Sequence, residues 1–81
     1  MNTEKTFADR LKELRNIRNY TQEELGKITN ISVQSIRRYE QGRLNEEPSA
    51  YNLLQLAKAL DVTPEYLLIG DNSVKESRGQ P

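Results

Sequence analysis

The apolar positions of this chain recur at helical spacing. Phe7, Leu11, Leu14 and Ile17 follow at steps of four, three and three, one face of a first helix. Arg10, Lys12, Glu13 and Arg18 fall off that stripe and are expected to be wet. Leu25 and Ile28 share a face in a second, shorter segment. Ile36 with Tyr39 and Glu40 makes one side of a third. Leu53, Leu56, Ala57 and Leu60 repeat at i, i+3, i+4 and i+7, so the fourth segment is a core wall with Leu54 beside it. Tyr66, Leu67 and Leu68 sit in a short fifth. No stretch alternates with period two, so no strand is expected.

The breaks between these stripes carry the residues that start and stop helices. Thr6 can cap the first helix, and Asn19 closes it. Thr21 with Glu24 three residues on is a capping box. Asn30 must turn the chain, and asparagine tolerates the left-handed conformation better than most residues. Ser32 caps the third helix, and Gly42 ends it. Pro48 disfavours helical geometry at the residue before it, so Arg43 to Pro48 is a loop. Ser49 caps the fourth helix. Thr63-Pro64 is a cap followed by proline in the first turn, and Gly70 ends the fifth helix.

Five helices are therefore predicted, roughly 7–18, 22–29, 33–41, 50–60 and 64–68, in an all-α, compact five-helix bundle. The expected core is Phe7, Leu11, Leu14, Leu25, Ile28, Ile31, Ile36, Leu53, Leu56, Ala57, Leu60 and Leu67. Residues 1–5 read as a flexible N-terminus, 6–70 as one domain, and 71–81, with Val74 alone apolar, as a disordered tail or linker.

Composition narrows the chemistry. The 81 residues include no cysteine and no histidine. Disulfides, thiolate metal sites and the commonest general base are thereby removed. No P-loop, dinucleotide fingerprint or nucleophile elbow is present. The chain is not expected to be an enzyme, and no cofactor, metal or small-molecule ligand is expected. No apolar run approaches the ~20 residues of a membrane span, and no signal-peptide layout opens the chain. It reads as soluble, cytoplasmic and without a membrane partner. Net charge is zero, but residues 1–45 hold nine basic and six acidic residues against three and six in the remainder. The basic half contains the third helix.

That helix has a second face, made of Gln34, Arg37, Arg38 and Gln41. Arginine can donate two bonds to guanine O6 and N7, and glutamine can pair two-pronged with adenine. Such a face suits a DNA major groove. It equally describes an ordinary solvated helix surface. Gln34 and Arg38 stand at i and i+4 and so point the same way.

The run from Thr21 to Gly42 resembles the helix-turn-helix of the phage repressor/Cro family, also called the XRE family. The resemblance is carried by Thr21-Gln22-Glu23-Glu24-Leu25, Ile31-Ser32, Ser35-Ile36 and Tyr39-Glu40-Gln41-Gly42. It continues through Leu53 to Leu60, Val62 and Tyr66-Leu67-Leu68, covering roughly Phe7 to Gly70. Gly26 and Asn30 depart from it, standing where the family often has alanine and glycine. Gly26 weakens its helix by roughly 1 kcal/mol relative to alanine, and is expected to let the second helix pack closer.

The resemblance implies a lambda-repressor-like fold with a central helix-turn-helix. It implies a sequence-specific transcriptional regulator of double-stranded DNA, a repressor, whose third helix enters the major groove. The alternative is a helix-turn-helix protein-interaction module such as an antitoxin or a regulatory subunit. Carried over residue by residue, base reading falls on Val33, Gln34, Arg37 and Arg38. Phosphate contacts fall on Gln22, at a helix start, and on Arg43 and Asn45 in the following loop. Tyr39 is expected in the core. Arg15 and Glu40 are implied to form an ion pair joining the first and third helices. A homodimer on DNA is implied as well, with Leu68 and Ile69 as candidate contacts.

Overall fold

The computed structural model describes residues 5–42 and 47–70. Five helices lie in those segments: α1 (Phe7–Ile17), α2 (Gln22–Thr29), α3 (Val33–Gln41), α4 (Ala50–Leu60) and α5 (Pro64–Ile69). There is no strand among the described residues. The helix ends fall within one residue of those read from the caps. The expected N-terminus up to residue 4, the loop 43–46 and the tail 71–81 lie outside the described residues.

Each helix starts on a hydroxyl. The Thr21 side chain accepts from the Glu24 backbone N–H at 3.0 Å, and Glu24 accepts from the Thr21 N–H at 2.9 Å. Thr6 and Asp9 make the same reciprocal pair at 3.2 and 3.1 Å. Ser32, Ser49 and Thr63 cap α3, α4 and α5 by accepting from the third residue of each helix. α2, α3 and α4 stop on left-handed residues: Asn30 at φ 63°, Gly42 at φ 65° and Asp61 at φ 61°. The left-handed residue turns the chain off the helical path, which lets the end carbonyls find partners.

Every helix sends at least one large side chain to the fully buried centre, α4 two: Leu11, Leu25, Ile36, Leu56, Leu60 and Leu67. Removing each from water stabilises the fold by about 1.5–3 kcal/mol. α1 packs on α3 and α5, α2 on α3 and α4, and α4 on α5. Phe7 meets Tyr39 edge-to-face at 6.0 Å between ring centroids. The Tyr39 hydroxyl accepts from Asn52 Nδ2 at 3.1 Å, so this ring belongs to the core.

Gly26 lies where α2 runs into the turn. A Cβ there would stand 2.8 Å from the Ile31 carbonyl oxygen. The close approach of turn to helix uses the absent side chain, as the sequence led us to expect.

Five residues depart from their expected burial. Ile28 is 51% exposed, because α2 turns Leu25, Gly26 and Thr29 inward. At roughly 100° per residue, Ile28 lies well outside that arc. The Thr29 hydroxyl holds its inward place by donating to the Leu25 carbonyl at 2.7 Å. Ile17 is 69% exposed for a related reason. Two successive three-residue steps rotate it off the Phe7–Leu11 face. Leu14 and Leu53 are half-buried at the edge of the core. Arg10, expected in water, is 6% exposed. Its Nε donates to the Leu67 carbonyl at 2.9 Å, Nη2 to Leu68 at 2.7 Å and Nη1 to Lys5 at 2.7 Å. A cation thus satisfies the orphan carbonyls at the negative end of α5.

Candidate nucleic-acid interface

The third helix is anchored from beneath and open above. Ile36, Tyr39 and Glu40 are buried, whereas Gln34, Arg37, Arg38 and Gln41 are exposed. The inward triad fixes the helix by packing, so the outward residues stand on a rigid support. Gln34 lies in the first turn, and Arg38 follows one turn later on the same outer side. Val33, at the first helical position, is half-buried beside them. Arg37 reaches across to α2, where its Nη2 lies 3.4 Å from Glu23 Oε2 in an exposed pair.

Beneath this face, one carboxylate joins three elements. Arg15 Nε donates to Glu40 Oε2 at 2.7 Å, and Arg15 Nη2 to Oε1 at 3.0 Å. This two-pronged geometry is the strong form of the arginine–carboxylate pair. Arg15 Nη1 donates to the Tyr20 carbonyl at 2.8 Å. Glu40 Oε1 also accepts from Gln22 Nε2 at 3.1 Å. The side chains are 13% exposed for Arg15 and 4% for Glu40. Hydrogen bonding to Glu40 holds the Arg15 guanidinium above its ordinary pKa, against the opposing effect of burial.

Gln22 therefore has a second role that spacing did not reveal. It starts α2, where free backbone N–H groups face outward, and its side chain is bound to the recognition-helix candidate. Glu23 was also missed as a partner of Arg37. The two stand 14 positions apart, and only the angle between α2 and α3 brings them together. Arg43 and Asn45, expected to contact phosphate, lie outside the described residues. Leu68 is half-buried and Ile69 is 53% exposed at the end of α5. Among the described residues no cluster of His, Cys, Asp or Glu could hold a metal ion, and no helix is long and apolar enough to cross a membrane.

This arrangement of α2, left-handed turn and α3 coincides with a match to the helix-turn-helix family model over residues 11–67. The chain belongs to the XRE-type helix-turn-helix family. Two curated relatives of the chain are a repressor and a transcriptional regulator. Repressor protein C2 of Salmonella phage P22 is 38% identical over 85 aligned positions, spanning 100% of this chain and 38% of the relative. The HTH-type transcriptional regulator DicA of Escherichia coli K12 is 35% identical over 66, spanning 82% of this chain and 47% of the relative. This helix-turn-helix chain thus corresponds to less than half the length of either. Among solved structures, the P22 c2 repressor in complex with a synthetic operator superposes with a TM-score of 0.77 at 37% identity. That match covers 84% of this chain and 100% of the repressor chain. The five-helix, lambda-repressor-like fold expected for the helix-turn-helix family is the fold observed.

Proposed function

We propose that the chain is a sequence-specific double-stranded DNA-binding domain that represses transcription by placing α3 in the major groove. The observation that carries this reading is the exposed Gln34–Arg38 face on a helix locked from beneath. It stands in a chain 37% identical to a repressor solved on its operator. Gln34, Arg38 and Val33 take the bases, with Arg37 beside them. Glutamine and arginine make two-pronged bonds to adenine and guanine, and valine offers an apolar contact to a thymine methyl. Gln22 at the start of α2, with Arg43 and Asn45, takes phosphates and fixes the register.

One helix of this length reads only a few base pairs, so two copies bind together on a two-fold operator. Their half-sites lie about one helical turn apart, ~34 Å. Ile69, exposed at the end of α5, with its neighbour Leu68, supplies the contact between copies.

The test is selection of bound duplexes from a random pool, followed by binding of Arg38→Ala to single-base variants of the selected site at two salt concentrations. A base reader loses discrimination of ~1–3 kcal/mol at one symmetric pair of positions. If Arg38→Ala instead scales every affinity by one factor, Arg38 holds the backbone and the assignment is wrong. Footprinting is expected to show two half-sites. A single asymmetric half-site bound at full affinity removes the dimer.

A further inference from the structure

The DNA reading above leaves one feature unexplained: a buried carboxylate directly beneath the corner that is to meet a phosphate. Glu40 is 4% exposed and receives two bonds from Arg15 and one from Gln22, the first residue of α2. For simple affinity this is a poor arrangement. Non-specific DNA binding grows with each cation left free to displace a counterion. An uncancelled Arg15 at this corner would add to it. Glu40 instead cancels that cation and spends the geometry on holding α3 to α1 and to the start of α2.

Resting on that reading, we propose that Glu40 is a positioning residue that sets the ratio of operator to non-operator binding without touching DNA. It does so in two ways. It removes the Arg15 charge from the field felt by any duplex. It also fixes α3, which carries the base-reading residues, relative to the α2 corner that clamps the backbone. The first effect lowers affinity for all sequences, and the second raises affinity for the correct one alone. Both act in the same direction on the ratio.

Glu40→Gln removes both effects together, and the salt slope reads the charge apart from the geometry. Glutamine keeps the shape and one acceptor, but releases the Arg15 charge and loosens the three-way junction. Binding is measured to the duplex selected from the random pool and to a scrambled duplex, over a series of salt concentrations. Folding of each variant is checked by circular dichroism.

The scrambled duplex is expected to bind about fivefold more tightly to Glu40→Gln at 0.15 M salt. That is the factor for one more phosphate neutralised at a slope of about 0.9. The slope steepens by the same 0.9, and the selected duplex gains less, so the ratio falls. Arg15→Gln with Glu40→Gln returns the scrambled affinity and slope to the parent values, because the charge is again cancelled. Glu65→Gln, an exposed acid on α5, leaves the ratio unchanged. A purely structural role would weaken binding and would not steepen the slope.

The proposal is overturned if folded Glu40→Gln binds the scrambled duplex no better, or if the double variant behaves like the single one. Should Glu40→Gln not fold, Glu40→Asp keeps the charge and shortens the reach to Arg15 and Gln22. The selected duplex is then expected to bind more weakly while the scrambled slope stays at the parent value, and an unchanged ratio overturns the proposal. If the parent prefers no duplex over scrambled DNA, the proposed function itself fails. A preference in the parent with no effect of these variants sinks only the role of Glu40.

Discussion

Breaking the Arg15–Glu40 pair from either side is expected to have unequal costs, and the difference follows from burial. Glu40, 4% exposed in the parent, is left by Arg15→Ala with the single N–H of Gln22 as its remaining bond among the described residues. A carboxylate left so deeply buried costs about 3–5 kcal/mol. Arg15, 13% exposed in the parent, keeps its bond to the Tyr20 carbonyl in Glu40→Ala. That guanidinium can turn toward water, so its loss is smaller, about 2–3 kcal/mol. The double alanine variant strands no charge. It gives up two side chains' packing and leaves the Gln22 amide and Tyr20 carbonyl to find water, so it is far less than additive. A coupling energy of about 2 kcal/mol is expected. The assay is urea and thermal unfolding of all four proteins at neutral pH. At ~4–8 °C per kcal/mol for a domain of this size, Arg15→Ala should melt more than about 10 °C below the parent. High salt should leave the coupling largely intact, because a buried pair is poorly screened. Coupling within about 0.5 kcal/mol of zero would refute the reasoning. So would equal losses for the two single variants, since the argument rests on their unequal burial.

Three further outcomes are expected. The Thr6 backbone N–H, first among its influences, holds the Asp9 carboxyl below its ordinary pKa of 3.8. A depressed carboxyl adds stability above its ordinary pKa and loses it as pH falls through the folded value. The parent should therefore lose more stability than Asp9→Asn between about pH 5 and pH 3, read from melting temperatures at both ends; equal losses would argue against it. Arg10→Met should cost about 2 kcal/mol, from lost charged hydrogen bonds to buried carbonyls. Hydrogen exchange of Arg10→Met should show the α5 amides opening before those of α2 and α3, and uniform opening would contradict the role given to the Arg10 bonds to the Leu67 and Leu68 carbonyls. Asn30 sits at φ 63°, so Asn30→Ala should cost about 1 kcal/mol while Asn30→Gly should not. Similar urea midpoints for these two variants would show that the left-handed turn is not what Asn30 serves.

Much of the candidate site was legible because it depends on local rules. The outward set Gln34, Arg37, Arg38 and Gln41 follows from the period of one helix, and so does the inward set Ile36, Tyr39 and Glu40. The Arg15–Glu40 pair was legible only through the family resemblance, since 25 positions separate the two residues. Gln22 on Glu40 and Glu23 on Arg37 were not legible at all. Each needs the packing angle between two helices, which no periodicity within either helix contains.

The sequence by itself determined where the helices begin and end. Thr6, Thr21, Ser32, Ser49 and Thr63 start them; Asn30 and Gly42 stop two of them, and these signals act within a few residues. It also determined the central core, since Leu11, Leu25, Ile36, Leu56, Leu60 and Leu67 lie on stripes visible in the chain. Tertiary structure decided how far each stripe reaches. Ile17 and Ile28 continue an apolar pattern but point away from the core, and so remain largely in water. Arg10 breaks the pattern, yet is buried because the end of α5 presents carbonyl oxygens across it. A stripe records only the direction in which a side chain points. What lies in that direction, solvent or the charged end of another helix, is settled when the helices pack.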